Sequence, residues 1–218
     1  MTLTLYYHPL ASYCWKVLIA LYEHGTSFAP RLVDLADPAQ RAELAALWPL
    51  ARFPVLRDGD RVVPESSIIV EHLDRHHPGP RPLVPADPDR ALEVRRWDRL
   101  LDSYVQASVQ EIVADRLRGA GGDVARAYAT LVTTYALLER QLGATGWLAG
   151  DAFGLADCAA APALFYAATL QPLPAHAARL RAYFERLVAR PSVRRVLDEA
   201  RPHFGSYPFA SAIEPRFR

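Results

Sequence analysis

A dense run of prolines near residue 80 divides the chain and constrains its fold more than any other feature. Five of the eighteen prolines fall between His76 and Arg90, in the stretch HHPGPRPLVPADPDR. Proline fixes φ and lacks an N–H donor, so this stretch can form neither a continuous helix nor a central strand. We therefore interpret residues 78–88 as a linker between a unit of residues 1–77 and a second unit of residues 89–218.

The residues before the linker alternate between strand and helix patterns. Apolar and polar residues alternate from Leu3 to Tyr7, and apolar residues then recur at helical spacing from Cys14 to Leu21. Further elements are predicted within residues 27–34 (strand), 38–48 (helix) and 66–75 (helix). Residues 55–57 and 61–63 flank Asp58-Gly59, a dipeptide typical of a two-residue hairpin turn. The order β-α-β-α-β-β-α predicts a thioredoxin-like α/β unit with helices on both faces of a small sheet.

The residues after the linker show only helical patterns. Asp87 followed by Pro88 predicts the start of a long helix, because Asp is a good N-cap and Pro is favoured at the first helical position. One face of that helix carries Val94, Trp97, Leu101, Tyr104, Val105, Ser108 and Ile112. Further helices are predicted within residues 123–141, 155–170, 175–190 and 193–200. The second unit is therefore predicted to be all-α.

The composition is that of an ordinary globular protein, with 51% apolar and 22% charged residues. Twenty-five basic and twenty-four acidic residues leave a net charge of +1, so we expect neither a nucleic-acid nor a membrane partner.

Cys14 and Cys158 form no CxxC pair and indicate neither a disulfide framework nor a zinc site. The N-terminal residues lack a signal-peptide pattern, and no window is apolar enough to span a bilayer. We expect a cytoplasmic protein with free thiols.

Residues 8–16, HPLASYCWK, lie where the first strand meets the first helix. A helix N-terminus offers unpaired N–H groups and a partial positive charge, which stabilise a thiolate or carboxylate. Ser12 lies where its hydroxyl could donate to such an anion. The same residues also fit a helix cap at Ser12 and simple packing of Cys14, so spacing alone leaves both interpretations open.

Two further segments indicate a ligand with peptide-like and charged groups. Arg52-Phe53-Pro54 places a proline directly before an apolar strand, where a cis peptide bond would turn the backbone N–H and C=O of Phe53 outward. Glu65 and Ser66 begin the last helix before the linker, a place suited to an amino group and an α-carboxylate. A plain capping arrangement would explain these two residues equally well.

Taken together, these segments resemble the glutathione transferase superfamily over nearly the whole chain. The resemblance is carried by SYCWKVLIAL, which is similar to the signature of the zeta class and its bacterial relatives, by RFPVL, PESSIIVEHL, the proline-rich linker and DAFGLAD. It implies a thioredoxin-like domain that binds glutathione and an all-α domain that forms the electrophile site. The expected protein is a cytosolic homodimer that ionises glutathione, its co-substrate, for attack on small apolar electrophiles in detoxification, without a metal.

The resemblance also implies roles for individual residues. Pro54 matches the family's cis-proline, and the backbone of Phe53 would pair with the cysteinyl part of glutathione. Glu65 and Ser66 match the acid and serine that hold the γ-glutamyl end. Arg52 falls where a basic residue often approaches the glycine carboxylate, although a solvated loop arginine would look the same.

Asp157 matches a structural aspartate near the start of a helix, whose carboxylate reaches back to the N–H of residue 154. Gly154 occupies the position of the usual Ser or Thr cap, so one of two reciprocal hydrogen bonds is expected to be missing. We interpret Asp157 as structural rather than catalytic.

The catalytic position departs from the family's pattern. Serine- and cysteine-type members commonly carry the hydroxyl or thiol five residues before a basic residue of the first helix, and counting back from Lys16 reaches Ala11. Ser12 is our first choice for the residue that stabilises the glutathione thiolate, and Cys14 is the second. A tyrosine of the first strand, or backbone N–H groups alone, could also stabilise the thiolate.

The second substrate would lie between the two domains. The residues predicted to face that cleft are Trp97, Tyr104, Val105 and Ser108 of the long helix, with Tyr166 from a later helix. They would form an apolar wall that carries a few hydroxyl groups for hydrogen bonds to the substrate. Trp97 and Val105 also have the spacing of core residues.

His72 and His76 lie four residues apart on one helical face, with His77 adjacent, a spacing that a metal site could use. Without a third ligand in the sequence pattern, we expect a solvated helix end and no metal.

Two other functions stay open at this point. A glutathione-dependent reductase or isomerase would use Cys14 to form a mixed disulfide. A non-catalytic protein that binds glutathione or recruits a partner would keep the fold without activating a thiol, and Ala11 is the feature that supports this function.

Overall fold

Four strands form one mixed sheet in the computed structural model of the protein, which describes residues 3–119, 121–143 and 146–218. The strands are β1 (Leu3–Tyr7), β2 (Phe28–Leu32), β3 (Val55–Asp58) and β4 (Arg61–Pro64). Their order is β2-β1-β3-β4, with β1 parallel to β2 and antiparallel to β3. The accompanying helices are α1 (Ser12–His24), α2 (Pro38–Leu47) and α3 (Ser66–His76). The predicted thioredoxin-like α/β unit is confirmed.

Side-chain alternation along β1 divides these helices between the two faces of the sheet. Leu3 and Leu5 belong to the large core cluster that includes the buried side chains of α1 and α3. Tyr6 belongs to a second cluster on the opposite face, together with Leu44 of α2. Helix α1 therefore lies inside the molecule, and its N-terminus lies at the end of β1.

The β3–β4 hairpin turns one residue later than the sequence predicted. Asp58 pairs with Arg61, so the turn residues are Gly59 and Asp60 rather than Asp58 and Gly59. Gly59 has a φ of 60°, which only glycine adopts at little cost in the first turn position. The turn begins at Gly59, one residue later than expected, because its first position needs a residue that tolerates a positive φ.

The proline-rich segment, residues 78–88, is fastened to both units. The carboxylate of Asp74 in α3 accepts hydrogen bonds from the backbone N–H groups of Leu83 and Val84, at 2.9 and 2.7 Å. The carbonyl oxygen of Leu83 in turn accepts from the N–H of Leu155, at 2.9 Å. A Cβ at Gly79 would come within 2.6 Å of His24, so the segment also packs closely against the end of α1.

The second unit consists of helices and short turns, as predicted. It contains α4 (Pro88–Leu100), a π-helical segment (Leu101–Gln106), α5 (Ala107–Arg118), α6 (Ala125–Gln141), α7 (Leu155–Leu170), α8 (Ala178–Ala189) and α9 (Pro191–Ala200). Three 3-10 turns follow, Arg201–Ser206, Ala210–Ala212 and Pro215–Phe217, which the sequence patterns did not predict. No helix of the described residues combines the length and the apolar character that crossing a bilayer requires.

The carboxylate of Asp157 holds the start of α7, as predicted. It accepts a hydrogen bond from the N–H of Gly154 at 2.9 Å, and others from the Leu148 N–H and the Tyr183 hydroxyl. A Cβ at Gly154 would lie 2.7 Å from the carbonyl oxygen of Leu83. The close approach of the proline-rich segment therefore explains why a glycine stands where a Ser or Thr cap is usual.

Candidate functional site

The turn from β1 into α1 presents a helix N-terminus to a cavity between the two units. Ala11 is the N-cap residue, and its methyl side chain has no atom that could cap the helix. The first N–H groups of a helix lack the usual intrahelical partner. The Cys14 N–H donates to the carbonyl oxygen of Ala11, which leaves the N–H groups of Ser12 and Tyr13 for a ligand. Ser12, the first residue of α1, lines the cavity, and its hydroxyl oxygen accepts a hydrogen bond from Gln110 of α5.

Two cavities adjoin at this N-terminus. The larger has a volume of about 640 Å³, a mostly apolar lining, and walls from the β1–α1 turn, α5 and the C-terminal turns. The smaller has a volume of about 230 Å³ and is lined mainly by polar residues. Tyr13, Arg52 and Phe53 line both cavities, so a single ligand could extend from one into the other.

The smaller cavity brings together all five residues that the sequence pointed to for glutathione. Arg52, Phe53, Pro54, Glu65 and Ser66 line it. The Phe53–Pro54 peptide bond is cis. Glu65 has a φ of 70°, an unusual conformation for a residue other than glycine, and makes no side-chain cap hydrogen bond within the described residues. The capping interpretation of Glu65 is therefore wrong, and its side chain is exposed at the cavity.

A buried charge cluster lies beside the smaller cavity. Lys16 is the only lysine in the sequence, and its side chain is 1% exposed. Its ammonium group lies 2.8 Å from Asp98 Oδ1, 2.6 Å from Asp102 Oδ2 and 3.2 Å from the Ser67 hydroxyl oxygen. Asp102 also lines the cavity, and burial raises the pKa of its carboxyl, an effect that Lys16 opposes. The cluster joins α1 and α3 to α4 and the π-helical segment.

Four oxygens lie within hydrogen-bond distance of the Lys16 ammonium group, because both carboxylate oxygens of Asp102 face it, and its three N–H donors are shared among them. The sequence signal for this cluster is a lysine within the run WKVLIAL, where every other side chain is apolar. A charged residue at a buried helical position needs partners, and the sequence could not name them.

Cys14 lies away from both cavities. Its side chain is fully buried in α1, and burial raises the pKa of the thiol, with a smaller opposing effect from a backbone hydrogen bond to His8. A thiol in this place is neutral and inaccessible, so the geometry does not favour the catalytic role that we considered for it.

The tyrosines of β1 do not face the cavities either. Tyr6 packs in the second core cluster, and Tyr7 lines a separate surface cleft near β2. Tyr13, which sequence reasoning missed, is the tyrosine of this region that lines both cavities. Burial, and secondarily the charges of Asp102 and Glu65, raises the pKa of its hydroxyl to about 12. Tyr13 is therefore a neutral hydrogen-bond donor at neutral pH.

The structure corrects most of the expected second-substrate wall. Trp97 and Val105 are core residues, 1% and 0% exposed, and line neither cavity. Tyr104 points to solvent, and the Ser108 hydroxyl donates to the Tyr104 carbonyl oxygen at 2.7 Å. Tyr166 of α7 does line the larger cavity, and its hydroxyl donates to the carbonyl oxygen of Leu10.

A neighbouring helical stripe replaces the predicted wall. Gln106, Gln110, Val113 and Leu117, spaced by four, three and four residues, line the larger cavity. Within the part of the chain that the structure describes, both amide atoms of Gln106 are buried without a hydrogen-bond partner. The stripe combines amide and apolar side chains and so carries no amphipathic signal of its own. The apolar spacing in the sequence instead identified the adjacent stripe of the same helical region, which includes the core residues Trp97 and Val105.

The histidines at the end of α3 have a neighbour that the sequence pattern did not show. Asp58 of β3 lies beside His72 and His77, and the three side chains form a group with the spacing of metal ligands.

Comparisons with known proteins agree with this architecture. The family described as "Glutathione S-transferase, N-terminal domain" matches residues 5–81, and the one described as "Glutathione S-transferase, C-terminal domain" matches residues 121–186. The chain is 33% identical over 172 residues to "Glutathione S-transferase F10" of Arabidopsis thaliana, covering 74% of this chain and 79% of that protein. It is 31% identical over 163 residues to "Stringent starvation protein A homolog" of Coxiella burnetii, covering 75% of each.

A solved structure gives the same result. The crystal structure of a glutathione S-transferase from Methylobacterium radiotolerans, in complex with glutathione sulfonate, superimposes with a TM-score of 0.79 at 30% identity. The match covers 90% of this chain and 94% of that one. The order of elements, the two adjoining cavities at the N-terminus of α1 and these matches lead to one conclusion: the chain belongs to the glutathione transferase superfamily.

Proposed function

We propose that this protein is a glutathione-dependent transferase that ionises the thiol of glutathione at the N-terminus of α1. The observation that carries the proposal is that a polar cavity and an apolar cavity meet at Tyr13, next to Ser12 of the apolar cavity. Glutathione is polar and charged at both ends, whereas the electrophiles we expect are apolar. A site of this kind would hold the two reactants in contact at the sulfur atom.

The smaller cavity would bind glutathione by its charged groups. Glu65 would pair with the γ-glutamyl amino group, and the buried hydroxyl of Ser66, at the start of α3, would donate to the neighbouring carboxylate. The Phe53 backbone would pair with the cysteinyl part, and Arg52 would approach the glycine carboxylate. This orientation directs the thiol towards Ser12.

The free energy that thiol activation needs is available at this site. A free thiol has a pKa of about 8.5, and lowering it by two units requires a preference for the thiolate of about 3 kcal/mol. A hydrogen bond to a charged group contributes about 1.5 to 3 kcal/mol, and a helix N-terminus adds about 0.3 to 2. Ser12 and the first N–H groups of α1 together suffice.

The larger cavity would bind the electrophile. Val113, Leu117 and Tyr207 supply apolar surface, and the amides of Gln106 and Gln110 lie along the same wall. Such a lining favours a mainly apolar substrate that carries one or two hydrogen-bonding groups.

We also propose that the protein is a homodimer. Ile68 of α3 and Leu92 of α4 are two exposed large apolar side chains, 55% and 66% exposed. Ile68 lies one turn from Glu71 and Leu92 lies one turn from Arg95, and these two charged residues form an ion pair of 2.8 Å. The two apolar side chains therefore share one outer face. Sedimentation equilibrium of Ile68→Glu would give a monomer, and a wild-type monomer would contradict this part of the proposal.

A non-catalytic function is the second candidate. The observations that favour it are Ala11 at the usual catalytic position and the relative named stringent starvation protein A. A protein of this kind would bind glutathione, or a partner, without lowering the pKa of a bound thiol.

Absorbance of the glutathione thiolate near the ultraviolet edge, followed against pH at saturating protein, separates these functions. A bound thiol pKa well below that of free glutathione supports the transferase. Binding with no shift favours the non-catalytic function, and absence of glutathione binding contradicts the proposal.

A further inference from the structure

One side-chain cluster has no part in the glutathione site. It lies where the end of β3 meets the last turn of α3, and its members line neither cavity at the N-terminus of α1. Asp58 Oδ2 lies 2.9 Å from Nε2 of His72 and 2.8 Å from Nε2 of His77. One ligand atom from each of the three residues lies within 4.8 Å of the other two.

The fold fixes the positions of these atoms. Asp58 is the last residue of β3 and pairs with Arg61 across the hairpin, which packs against α3. His72 lies inside α3, with a side chain only 7% exposed, and His77 is the C-cap residue, with a side chain 28% exposed. Two ligands therefore come from one helix end and the third from the sheet, and one edge of the group is open to solvent.

The distances are those of hydrogen bonds and are also close to those between the ligands of a metal ion. Zinc binds imidazole nitrogen and carboxylate oxygen at about 2.0 to 2.2 Å, so tetrahedral ligand atoms lie roughly 3.3 Å apart. The present N–O separations of 2.8 and 2.9 Å would have to open by only a few tenths of an ångström. The same oxygen faces both nitrogens, so the metal would take the place of the two N–H protons.

We propose that Asp58, His72 and His77 bind a divalent transition-metal ion, Zn²⁺ in the first place, which joins the β3–β4 hairpin to the end of α3. Two imidazoles and one carboxylate are a zinc donor set, and water completes the coordination on the open side. The His76 ring lies beside that of His72, tilted by 41° with ring centroids 4.5 Å apart, and its Nε2 lies 3.5 Å from a guanidinium nitrogen of Arg61. His76 is therefore a neighbour of the site and not a ligand.

Zinc titration of the full-length chain, after treatment with a chelator and its removal, tests the proposal. His77→Gln and Asp58→Asn each remove one ligand, and His176→Gln removes an exposed histidine elsewhere as the matched control. Circular dichroism and glutathione affinity, measured without metal, report whether each variant keeps the fold. Cobalt, used in place of zinc, gives a visible spectrum that reports its ligands directly.

The wild type should bind one equivalent of Zn²⁺ and show a higher Tm with zinc than without it. His77→Gln and Asp58→Asn should bind zinc at least tenfold more weakly and lose the Tm increase, and His176→Gln should match the wild type. Failure of the wild type to bind zinc overturns the proposal. So does unchanged binding by His77→Gln and Asp58→Asn, or loss of binding in His203→Gln, which would assign the metal to the His8–His203 pair instead.

Discussion

The side-chain amide nitrogen of Gln110 lies 3.4 Å from the hydroxyl oxygen of Ser12 and donates a hydrogen bond to it. An amide N–H can only donate, so the Ser12 oxygen accepts here and its own proton stays free for another acceptor. That acceptor would be the sulfur of bound glutathione. The pair also joins α5 to the start of α1, and Gln110 therefore acts as a positioning residue for Ser12.

Ser12→Ala should raise the pKa of bound glutathione by about 1 to 2 units, because it removes one hydrogen bond to a charged group. Glutathione affinity should change little, since most of the proposed contacts lie in the smaller cavity. The measurement is thiolate absorbance against pH, with Ser211→Ala, an exposed serine, as the control. An unchanged thiol pKa in Ser12→Ala would exclude Ser12 as the activating residue.

Both cysteines should be unreactive in the native protein. Cys14 and Cys158 are fully buried, and burial raises the pKa of each thiol, so neither is a thiolate at neutral pH. A thiol-specific chromogenic reagent should detect two thiols per chain, and only after the protein is denatured. Cys14→Ala should then keep the conjugation rate within about twofold of the wild type, at a stability cost of about 1 kcal/mol.

Rapid reaction of one native thiol, together with loss of thiol transfer in Cys14→Ser, would instead support a reductase or isomerase. Cys158→Ala is the matched control, because it removes a buried thiol that lies in α7.

Gln106→Leu should stabilise the protein and weaken binding of the second substrate. The amide of Gln106 is buried without a partner among the described residues, and such a group costs about 1 to 3 kcal/mol. Urea unfolding should therefore show a gain of that size. Gln110→Leu, one turn further along the chain and within α5, should show no gain, because the Gln110 amide has Ser12 as a partner. A destabilised Gln106→Leu would mean that the amide is satisfied in solution.

The titration of Asp157 should make stability depend on pH between about 4 and 6. Burial raises the pKa of its carboxyl from 3.8 to about 6, against the opposing hydrogen bonds from Leu148, Tyr183 and Gly154. The folded state therefore holds this proton more tightly than the unfolded state. The resulting stabilisation is complete below pH 4 and is lost as pH rises through about 6, a change of about 3 kcal/mol.

Asp157→Asn, which cannot titrate, should flatten the pH dependence of the free energy of unfolding over this range. Asp198→Asn changes an exposed carboxylate and should leave the slope as it is in the wild type. Equal slopes in all three proteins would show that Asp157 ionises at the same pH in the folded and unfolded states.

The sequence predicted the order of elements and five of the residues that line the smaller cavity because both depend on short-range patterns. Strand alternation, helical spacing and the position of Pro54 are all visible within a few neighbouring residues. The wall of the larger cavity depends instead on which of two adjacent stripes of one helix faces a gap. Val105 and Gln106 are neighbours in sequence, yet one is core and the other borders the cavity.

The Asp58 cluster was missed for a different reason. Asp58 lies 14 and 19 residues before His72 and His77, and only the packing of the hairpin against α3 brings them together. Spacing near the end of α3 could therefore show the histidines but not the carboxylate.

The position of Lys16 turns this side chain into a reporter of interdomain opening. It is the chain's single lysine, and its ammonium group is enclosed by carboxylates of α4 and of the adjoining π-helical segment. An acylating reagent that attacks amines can reach this nitrogen only when those helices move away from α1. The rate at which one ε-amino group becomes labelled under native conditions would consequently measure how often the two halves of the molecule separate.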